Sequence, residues 1–417
     1  MAEYRYGLIG KTLKHSLSPE IHKHFYDNEY SLIELNEEEL KDFLIKKDFI
    51  AVNVTIPYKQ AVIPYLTKID DFAKKIGSVN TIKKKKDGTL TGYNTDYFGF
   101  LYLIKSNGIK VKNKKAIVLG SGGSSKTVCT VLSDLGAKSV TVISRSGENN
   151  YQNISKHFDA EIIVNTTPVG MYPDNLNSPI DLTDFNDVQA VVDIIYNPLQ
   201  TKLLLDAKKK NVKYANGLLM LVAQAKMAAE IFLDKKIPDS EIDRIYNIIK
   251  KQTENIVFVG MPGAGKSTIA RELGIKLNRE VFDTDKVVEE KTKKTIPMIF
   301  EEYGEEYFRK LETDAAKEIG KKTSSVIATG GGIIKKQENF DALKQNGFVV
   351  FLNRDINELS LKGRPLSTDR ERLKEMYLER YPKYKEIADT EIVVQNKISD
   401  TVNKILNMFY GDLYEKN

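Results

Sequence analysis

The sequence predicts an α/β protein built on parallel sheets, and two glycine-rich turns carry that expectation. Each turn follows an apolar, β-branched run and precedes a helical run: KAIVLGSGG at Lys115–Gly123 and NIVFVGMPGAGK at Asn255–Lys266. Strand, glycine turn, helix is how a nucleotide-binding α/β unit opens. Two such openings, far apart in one chain, imply two nucleotide sites. The length of 417 residues leaves room for two or three domains of ordinary size.

Composition narrows the class. A hydrophobic fraction of 41% with 29% charged residues is that of a soluble globular protein. A net charge of +6 suits anionic metabolites and does not suggest a nucleic-acid binder. The basic clusters Lys83–Lys86 and Lys208–Lys210 read as solvated loop and helix ends. The single cysteine, Cys129, excludes an intrachain disulfide and a CxxC site, and in the helical stretch Lys126–Leu135 it reads as a small packing residue. His15, His22, His24 and His157 show no HExxH spacing, so no zinc is expected. No apolar run is long enough to span a membrane, and MAEYRYGLIG reads as a strand, not a signal peptide. A cytoplasmic location is the expectation.

Around the first turn, strands are expected near Tyr4–Ile9, Ser31–Glu34, Ala51–Val54, Ala116–Leu119, Ser139–Ile143, Ile162–Asn165, Ala190–Ile194 and Lys213–Ala215. Helices fill most gaps, among them Pro19–Asp27, Glu37–Lys46 and Thr201–Lys210, and a helical pair follows at Leu218–Lys235 and Ser240–Lys250. The polar stretch Lys250–Asn255 reads as a domain boundary. Beyond it, strands near Ile256–Val259, Glu280–Asp283, Ser325–Ala328, Phe348–Leu352 and Thr390–Val394 alternate with helices, the pattern of a P-loop domain with a parallel sheet.

Gly260–Ser267 reads GMPGAGKS, a full match to GxxxxGK followed by Ser or Thr. Backbone N–H groups along Gly263, Ala264, Gly265, Lys266, Ser267 and Thr268 would cradle nucleotide phosphates. Lys266 would reach the β- and γ-phosphates, and the Ser267 hydroxyl would bind Mg²⁺. Asp283 and Asp285 follow the next strand as FDTD, where one acid can serve Mg²⁺ and the other an acceptor hydroxyl. Arg309 lies in the helical run EEYFRKLE with Glu312 on a similar face. ATGGG at Ala328–Gly332 is a second strand-end glycine turn, open to close approach by a substrate. GRP at Gly363–Pro365 and RYPKY at Arg380–Tyr384 follow.

In this order the motifs resemble shikimate kinase across nearly all of 254–417. The resemblance implies that Asp285 binds the substrate hydroxyls and that Asp283 supports Mg²⁺. It implies that Arg309 and Arg380 hold the substrate carboxylate, while Gly330, Gly331 and Gly332 lie beside its ring. Arg364 would be the lid arginine that contacts ATP and stabilises charge during transfer. Paired guanidinium donors suit a planar carboxylate, and a closing lid excludes water. The segment LSLKGRPLSTDR carries no second arginine ahead of Arg364, so no adenine contact is assigned.

In the first half, Gly120, Ser121, Gly122 and Gly123 read GSGG, followed by Ser124, Ser125 and Lys126; Ser125 stands where a dinucleotide fingerprint has its third glycine. An NAD enzyme usually ends the next strand in an acid that binds the ribose 2′-hydroxyl. Here the chain reads ISRS, and Arg145 in that place suits a 2′-phosphate, so NADP(H) is preferred. Further motifs are SLSP at Ser16–Pro19, NVTIPYK at Asn53–Lys59, GSVNT at Gly77–Thr81, GYNTD at Gly92–Asp96, NTTPVGM at Asn165–Met171, DIIYNP at Asp193–Pro198 and NGLLMLVAQA at Asn216–Ala225.

This set resembles shikimate dehydrogenase across nearly all of 1–250. The resemblance implies that Ser16, Ser18, Thr55, Asn80, Asp96, Tyr196 and Gln224 surround shikimate, with Lys59 and Asp96 as the catalytic pair. Gly120 to Ser124, Ser144, Arg145, Ser146, Thr166 and Gly217 would surround NADP(H). Lys59 can supply a proton and stabilise a developing alkoxide, while Asp96 orients it. Ser16 and Ser18 also fit a helix-capping pattern, and both roles can coexist. The family fold implies a substrate domain at about 1–97 rejoined by helices at about 218–250, an NADP domain at about 98–217, and the kinase at 254–417.

The expected function is bifunctional. NADPH-dependent reduction of 3-dehydroshikimate would give shikimate, and ATP would then phosphorylate it to shikimate 3-phosphate on the route to chorismate and the aromatic amino acids. The expected partners are small molecules, with no nucleic acid and no membrane. One alternative is a dehydrogenase half that also takes quinate or NAD. Another is a half retained only as a ligand-binding module, which would require a missing catalytic group; Lys59, Asp96, Lys266, Ser267 and Asp285 are all present.

Overall fold

A computed structural model describes residues 4–14, 16–359 and 370–411. The chain forms two units. The first comprises the chain to Met171, Asn177–Tyr196 and Leu203–Ile249; the second comprises Tyr172–Leu176, Asn197–Lys202 and the chain from Lys250 on. The two short stretches belong to the second unit by direct bonding: Gln345 Nε2 donates to the Asn175 carbonyl at 2.5 Å, and Gln200 N–H donates to the Gln345 carbonyl at 2.8 Å.

The first unit opens with β1 (Tyr4–Gly10), α1 (Ser18–His22), β2 (Tyr30–Glu34), α2 (Glu37–Lys46), β3 (Phe49–Val54), β4 (Lys68–Ile69), α3 (Asp71–Ile76), β5 (Thr81–Lys84), β6 (Leu90–Tyr93) and α4 (Asp96–Ser106). These strands form one sheet in the order β2-β1-β3-β5-β6-β4. Strand β1 runs parallel to β2 and β3, whereas β5 is antiparallel to both β3 and β6. The β5–β6 hairpin was not among the expected strands, because four consecutive lysines hide its alternation. Its turn carries Asp87-Gly88, a strong hairpin signal. Lys83 accordingly is no solvated loop end: it sits buried on β5, donates to the Ile231 carbonyl at 2.6 Å and pairs with Asp234. The hairpin brings the ends of GSVNT and GYNTD side by side, with Asn80 N–H donating to the Tyr93 carbonyl at 3.0 Å. Helix α1 is also shorter than the expected Pro19–Asp27, since tight turns follow His22 on the way to β2.

Next come β7 (Lys115–Leu119), α5 (Gly123–Asp134), β8 (Ser139–Ile143), β9 (Ile162–Asn165), β10 (Ala190–Asp193), α6 (Lys202–Lys209), β11 (Lys213–Ala215), α7 (Leu218–Leu233) and α8 (Ser240–Thr253). Strands β7 to β11 make an all-parallel sheet in the order β11-β10-β9-β7-β8. Strand β7 lies between β8 and β9, so the strand order reverses there and opens a crevice at its carboxyl end. Helix α7 is apolar on nearly every face and packs on α1, α4, β3 and β5 of the first sheet. Cys129 lies on α5, where its thiol faces the Ser125 hydroxyl.

In the second unit, β12 (Asn255–Val259), α9 (Lys266–Leu277), β13 (Val281–Asp283), α10 (Thr284–Thr292), α11 (Ile296–Ile319), β14 (Val326–Ala328), α12 (Gln337–Lys344), β15 (Gly347–Asn353), α13 (Arg370–Ile387), β16 (Thr390–Val393) and α14 (Ile398–Tyr410) surround a parallel sheet of order β13-β14-β12-β15-β16. Fully buried Ile, Val, Leu and Phe side chains from β12, β14 and β15 form its core, the expected pattern for a sheet covered on both faces. Within Lys250–Asn255, the stretch read as a domain boundary, α8 ends at Thr253 and β12 begins at Asn255. No helix among the described residues is long and apolar enough to cross a membrane.

Candidate active sites

In the first unit a cleft of about 370 Å³ is lined by Ser16, Ser18, Thr55, Lys59, Asn80, Asp96, Tyr196 and Gln224. All the residues expected around a substrate therefore meet at one place, drawn from separate stretches of chain. Lys59 Nζ donates to Asp96 Oδ2 at 2.6 Å, with the two side chains only 16% and 11% exposed. Limited exposure strengthens this ion pair over a surface one. Asp96 is the first residue of α4, where the positive helix end favours a carboxylate. Ser16 Oγ accepts the Ser18 N–H at 3.2 Å, so it braces the start of α1 while lining the cleft. The Tyr196 phenol is pushed above its ordinary pKa by burial and stays a neutral donor.

The glycine turn of the first unit stands at the mouth of the crevice beyond β7. Gly120 has φ +101°, a left-handed conformation that favours glycine. Ser121, Gly122 and Gly123 line the exposed side of the turn, and no side chain caps the first turn of α5. The helix thus offers free N–H groups and positive potential to an anion. Ser144, Arg145 and Ser146 follow β8, with Arg145 exposed. The Thr166 hydroxyl donates to the Leu119 carbonyl at 2.7 Å, which ties β9 to β7 just below the turn. Ser124 and Gly217 line the substrate cleft itself, so the cofactor face and the substrate face adjoin. An open, uncapped helix end with a guanidinium beyond the next strand fits a dinucleotide carrying an extra phosphate.

The second unit holds a cleft of about 420 Å³ along the P-loop, lined by Gly263, Gly265, Lys266, Ser267, Thr268, Asp283, Asp285 and Gly331. Ala264 is buried beneath it. Lys266 Nζ donates to the carbonyls of Gly260 and Met261, at 2.8 and 2.9 Å. Ser267 Oγ donates to Asp283 Oδ2 at 2.6 Å. Mg²⁺ is commonly held by one or two protein oxygens together with nucleotide phosphates. These two oxygens on the exposed rim of a P-loop fit that role.

Asp285 faces the same cleft from the start of α10, and its carboxyl is pushed up to about 7, first by burial and then by the neighbouring Asp283 and Glu312 carboxylates. Its Oδ1 is buried without a partner. Arg309 pairs with Glu312 at 2.7 Å and Glu305 at 3.0 Å, which bears out the shared helical face of Arg309 and Glu312. Gly330, Gly331 and Gly332 thread between these groups. A Cβ at Gly330 would overlap Asp285 Oδ1, and one at Gly332 would overlap the Arg309 guanidinium. Arg380 Nη1 donates to the Gly331 carbonyl at 3.1 Å, and the Tyr384 hydroxyl donates to the same oxygen at 2.5 Å. Asp285, Arg309, Arg380 and the triplet are therefore neighbours. Arg364 lies outside the described residues.

Sequence reasoning missed Asn53 and Arg354, which line the two clefts, and Tyr384, which anchors the triplet. Asn53 and Tyr384 sit inside the motifs NVTIPYK and RYPKY, next to residues that were singled out. Arg354 follows β15 in no motif.

Comparison with known proteins finds one enzyme family in each part of the chain. The family model of the shikimate dehydrogenase substrate binding domain matches residues 8–82, and that of shikimate kinase matches 262–410. A shikimate dehydrogenase (NADP(+)) of Clostridium beijerinckii is 39% identical over 267 residues, covering 59% of this chain and 98% of the relative. Among solved structures, a chorismate mutase/shikimate 5-dehydrogenase fusion protein from Clostridium acetobutylicum is 36% identical with a TM-score of 0.56, covering 60% of this chain and 98% of that one. Shikimate 5-dehydrogenase from Thermus thermophilus, solved in complex with NADP(H) and shikimate, is 31% identical with a TM-score of 0.54, covering 59% of this chain and 99% of its own. The chain belongs to the shikimate dehydrogenase family and carries a shikimate kinase domain behind it, which makes it a bifunctional enzyme of the shikimate pathway.

Proposed function

We propose that the first unit reduces 3-dehydroshikimate to shikimate with NADPH, and that the second phosphorylates shikimate to shikimate 3-phosphate with ATP and Mg²⁺. The observation that carries the first half is the Lys59–Asp96 pair inside a cleft ringed by hydroxyl and amide side chains. Such a lining suits a small polyhydroxylated acid. NADPH, when bound along the β7–α5 turn, supplies the hydride. Lys59 holds a proton at Nζ for the ketone oxygen and stabilises the negative charge that grows there. Asp96 keeps Nζ oriented through the 2.6 Å bond. Ser16 and Ser18 hold the substrate by their hydroxyls, and Asn80 and Gln224 by their amides.

In the second unit, ATP with Mg²⁺ supplies the phosphoryl group. Asp285 receives the acceptor hydroxyl, and its raised pKa of about 7 suits a group that takes a proton at neutral pH. Arg309 and Arg380 clamp the substrate carboxylate, and the Lys266 ammonium leaves its loop carbonyls for the phosphates. The test is direct. Purified protein should oxidise NADPH with 3-dehydroshikimate and consume ATP with shikimate. With both cosubstrates present, 3-dehydroshikimate alone should give shikimate 3-phosphate. An absence of either single reaction overturns that half of the reading.

A further inference from the structure

We propose that Tyr30 and Thr81, which do not line the substrate cleft, are positioning residues: they feed a one-way hydrogen-bond relay that locks Asn80 so that it offers the cleft only an N–H donor. The proposal rests on the substrate reading of the first unit and extends it to residues outside the cleft.

The relay alternates between Asn53, Asn80 and Gln224, which line the cleft, and Tyr30, Thr81 and Thr95, which do not. The Tyr30 hydroxyl donates to Asn53 Oδ1 at 2.8 Å, and Asn53 Nδ2 donates to Thr81 Oγ1 at 3.0 Å. Thr81 Oγ1 donates to Asn80 Oδ1 at 3.1 Å, and Asn80 Nδ2 donates to Thr95 Oγ1 at 3.0 Å. Thr95 Oγ1 then donates to Gln224 Oε1 at 3.2 Å. Asn53, Asn80, Thr81 and Thr95 are all buried.

The amide orientations are set by backbone groups, whose polarity cannot reverse, and the Thr81 hydroxyl, with Asn80 Oδ1 at 3.1 Å and Thr95 Oγ1 at 3.4 Å, donates to the nearer of the two. Asn53 Nδ2 also faces the Asn80 carbonyl at 3.4 Å, which can only accept, so Asn53 must turn its oxygen to Tyr30. Asn80 Oδ1 also receives the Thr95 N–H at 2.7 Å, which can only donate, so its amide nitrogen must lie on the other side. Gln224 Nε2 donates to the Leu221 carbonyl at 2.9 Å, which turns its oxygen to Thr95. With two donors on Asn80 Oδ1, the Thr95 proton goes to Gln224, although Asn80 Oδ1 lies equally near at 3.2 Å.

The consequence is a count of open valences. Asn80 Oδ1 is saturated, and one Asn80 N–H serves Thr95. What remains for the cleft is the second N–H, which must meet an acceptor oxygen on the substrate. The Tyr30 phenol is well suited to head the relay, since burial raises its pKa well above the ordinary value and keeps the proton in place. Its ring stacks on His22 at 4.2 Å and 13°, which fixes the direction of the hydroxyl.

Tyr30→Phe removes only the hydroxyl and keeps the stack. It should raise the KM for 3-dehydroshikimate roughly three- to tenfold, the effect of one net hydrogen bond, with kcat within about twofold, because Lys59 and Asp96 are untouched; the Tyr30 hydroxyl also bonds Ser18, so the Thr81 variants, which leave that contact intact, separate the relay from it. Thr81→Val should behave alike, and Thr81→Ser should restore the KM. Circular dichroism and thermal melting of the same preparations serve as the folding control. The proposal is overturned if Tyr30→Phe leaves KM unchanged, if kcat falls in place of KM, or if Thr81→Ser fails to rescue Thr81→Val. A second readout needs no substrate. In the ligand-free full chain the Asn80 side-chain amide should give two sharp ¹⁵N–¹H signals, and Tyr30→Phe or Thr81→Val should broaden or shift them; unchanged signals refute the relay. Failure of the unmodified chain to reduce 3-dehydroshikimate would count against the substrate reading, and the amide signals would still decide the relay.

Discussion

Lys59 and Asp96, one on the turn after β3 and one at the start of α4, meet at 2.6 Å although 37 residues separate them. The β5–β6 hairpin makes the meeting possible, because it returns the chain to the end of β3 just before α4 begins. Replacing Lys59 by Met removes the proton and the charge while keeping the stem. We expect kcat for reduction to fall on the order of a hundred- to ten-thousandfold, the usual share of a general acid. Asp96→Asn should cost less in kcat, since the ammonium remains, though it loses its orienting partner. NADPH oxidation at saturating substrate measures both; a Lys59→Met variant retaining about a third of wild-type kcat would remove Lys59 from the chemistry.

Lys266→Ala should abolish phosphorylation and leave reduction intact. The ammonium is the only side-chain cation within the P-loop motif itself, and it already leans on the Gly260 and Met261 carbonyls. Losing it removes the charge that meets the β- and γ-phosphates. Both activities should be assayed on one preparation. Equal loss of the two would mean that the variant acts through folding.

Asp285 gives a pH signature. Its folded pKa, about 7, lies above the ordinary carboxyl value of 3.8. The folded state therefore binds this proton more tightly than the unfolded state does, and stability falls as pH rises from the ordinary value through the folded one. Asp285→Asn removes the buried charge, so it should stabilise the second unit at about pH 8 and have little effect at about pH 4. Phosphorylation should be lost at every pH. Thermal scans of wild type and variant across that range decide it, and a pH-independent difference would be the contrary result.

The contrast between what the sequence foretold and what it hid has a physical basis. Strands such as β12 and β15 were legible because a strand covered on both faces must be a continuous β-branched and aromatic run. The hairpin was hidden because Lys83 points inward to a backbone carbonyl and Asp234, a pairing set by α7 almost a hundred and fifty residues later. The cleft residues were legible as members of motifs, yet motifs name neighbours in sequence and not their partners. Tyr30 belongs to none, and only the fold brings it to Asn53. Thr81 and Thr95 stood in quoted motifs, but their task in the relay depends on the register of β5 and β6. Arg354 is a side chain at a strand end, and nothing in its local sequence distinguishes it from a surface cation.

His22 should set an acid limit. It is buried against Tyr30 and Phe232, its Nδ1 is bonded by the Tyr26 hydroxyl at 2.9 Å, and burial lowers its pKa to about 3. In the unfolded chain the ring takes a proton near the ordinary 6.5. Its stabilising contribution is thus present above that value and is lost as pH falls toward the folded one. His22→Gln keeps an acceptor for Tyr26 and cannot gain charge. It should shift the acid-unfolding midpoint of the first unit downward, as followed by circular dichroism. An unchanged midpoint would show that other groups control acid unfolding.

Gly332 tests whether the glycine triplet is there for space or for backbone freedom. Its φ is −96°, which any residue adopts, so alanine brings no backbone strain. The added Cβ would instead fall on the Arg309 guanidinium. A long side chain usually swings aside, but Arg309 is held by Glu312, only 1% exposed, and by Glu305. Moving it strands a buried carboxylate, which is costly. Gly332→Ala should therefore raise the KM for shikimate by roughly tenfold or more, the effect of misplacing one charged contact. The KM for ATP should stay unchanged, since the P-loop residues are not disturbed. A double variant, Gly332→Ala with Arg309→Ala, should be no worse than Arg309→Ala alone, because the steric conflict and the arginine vanish together. If the two losses multiply, the triplet does something other than make room for Arg309.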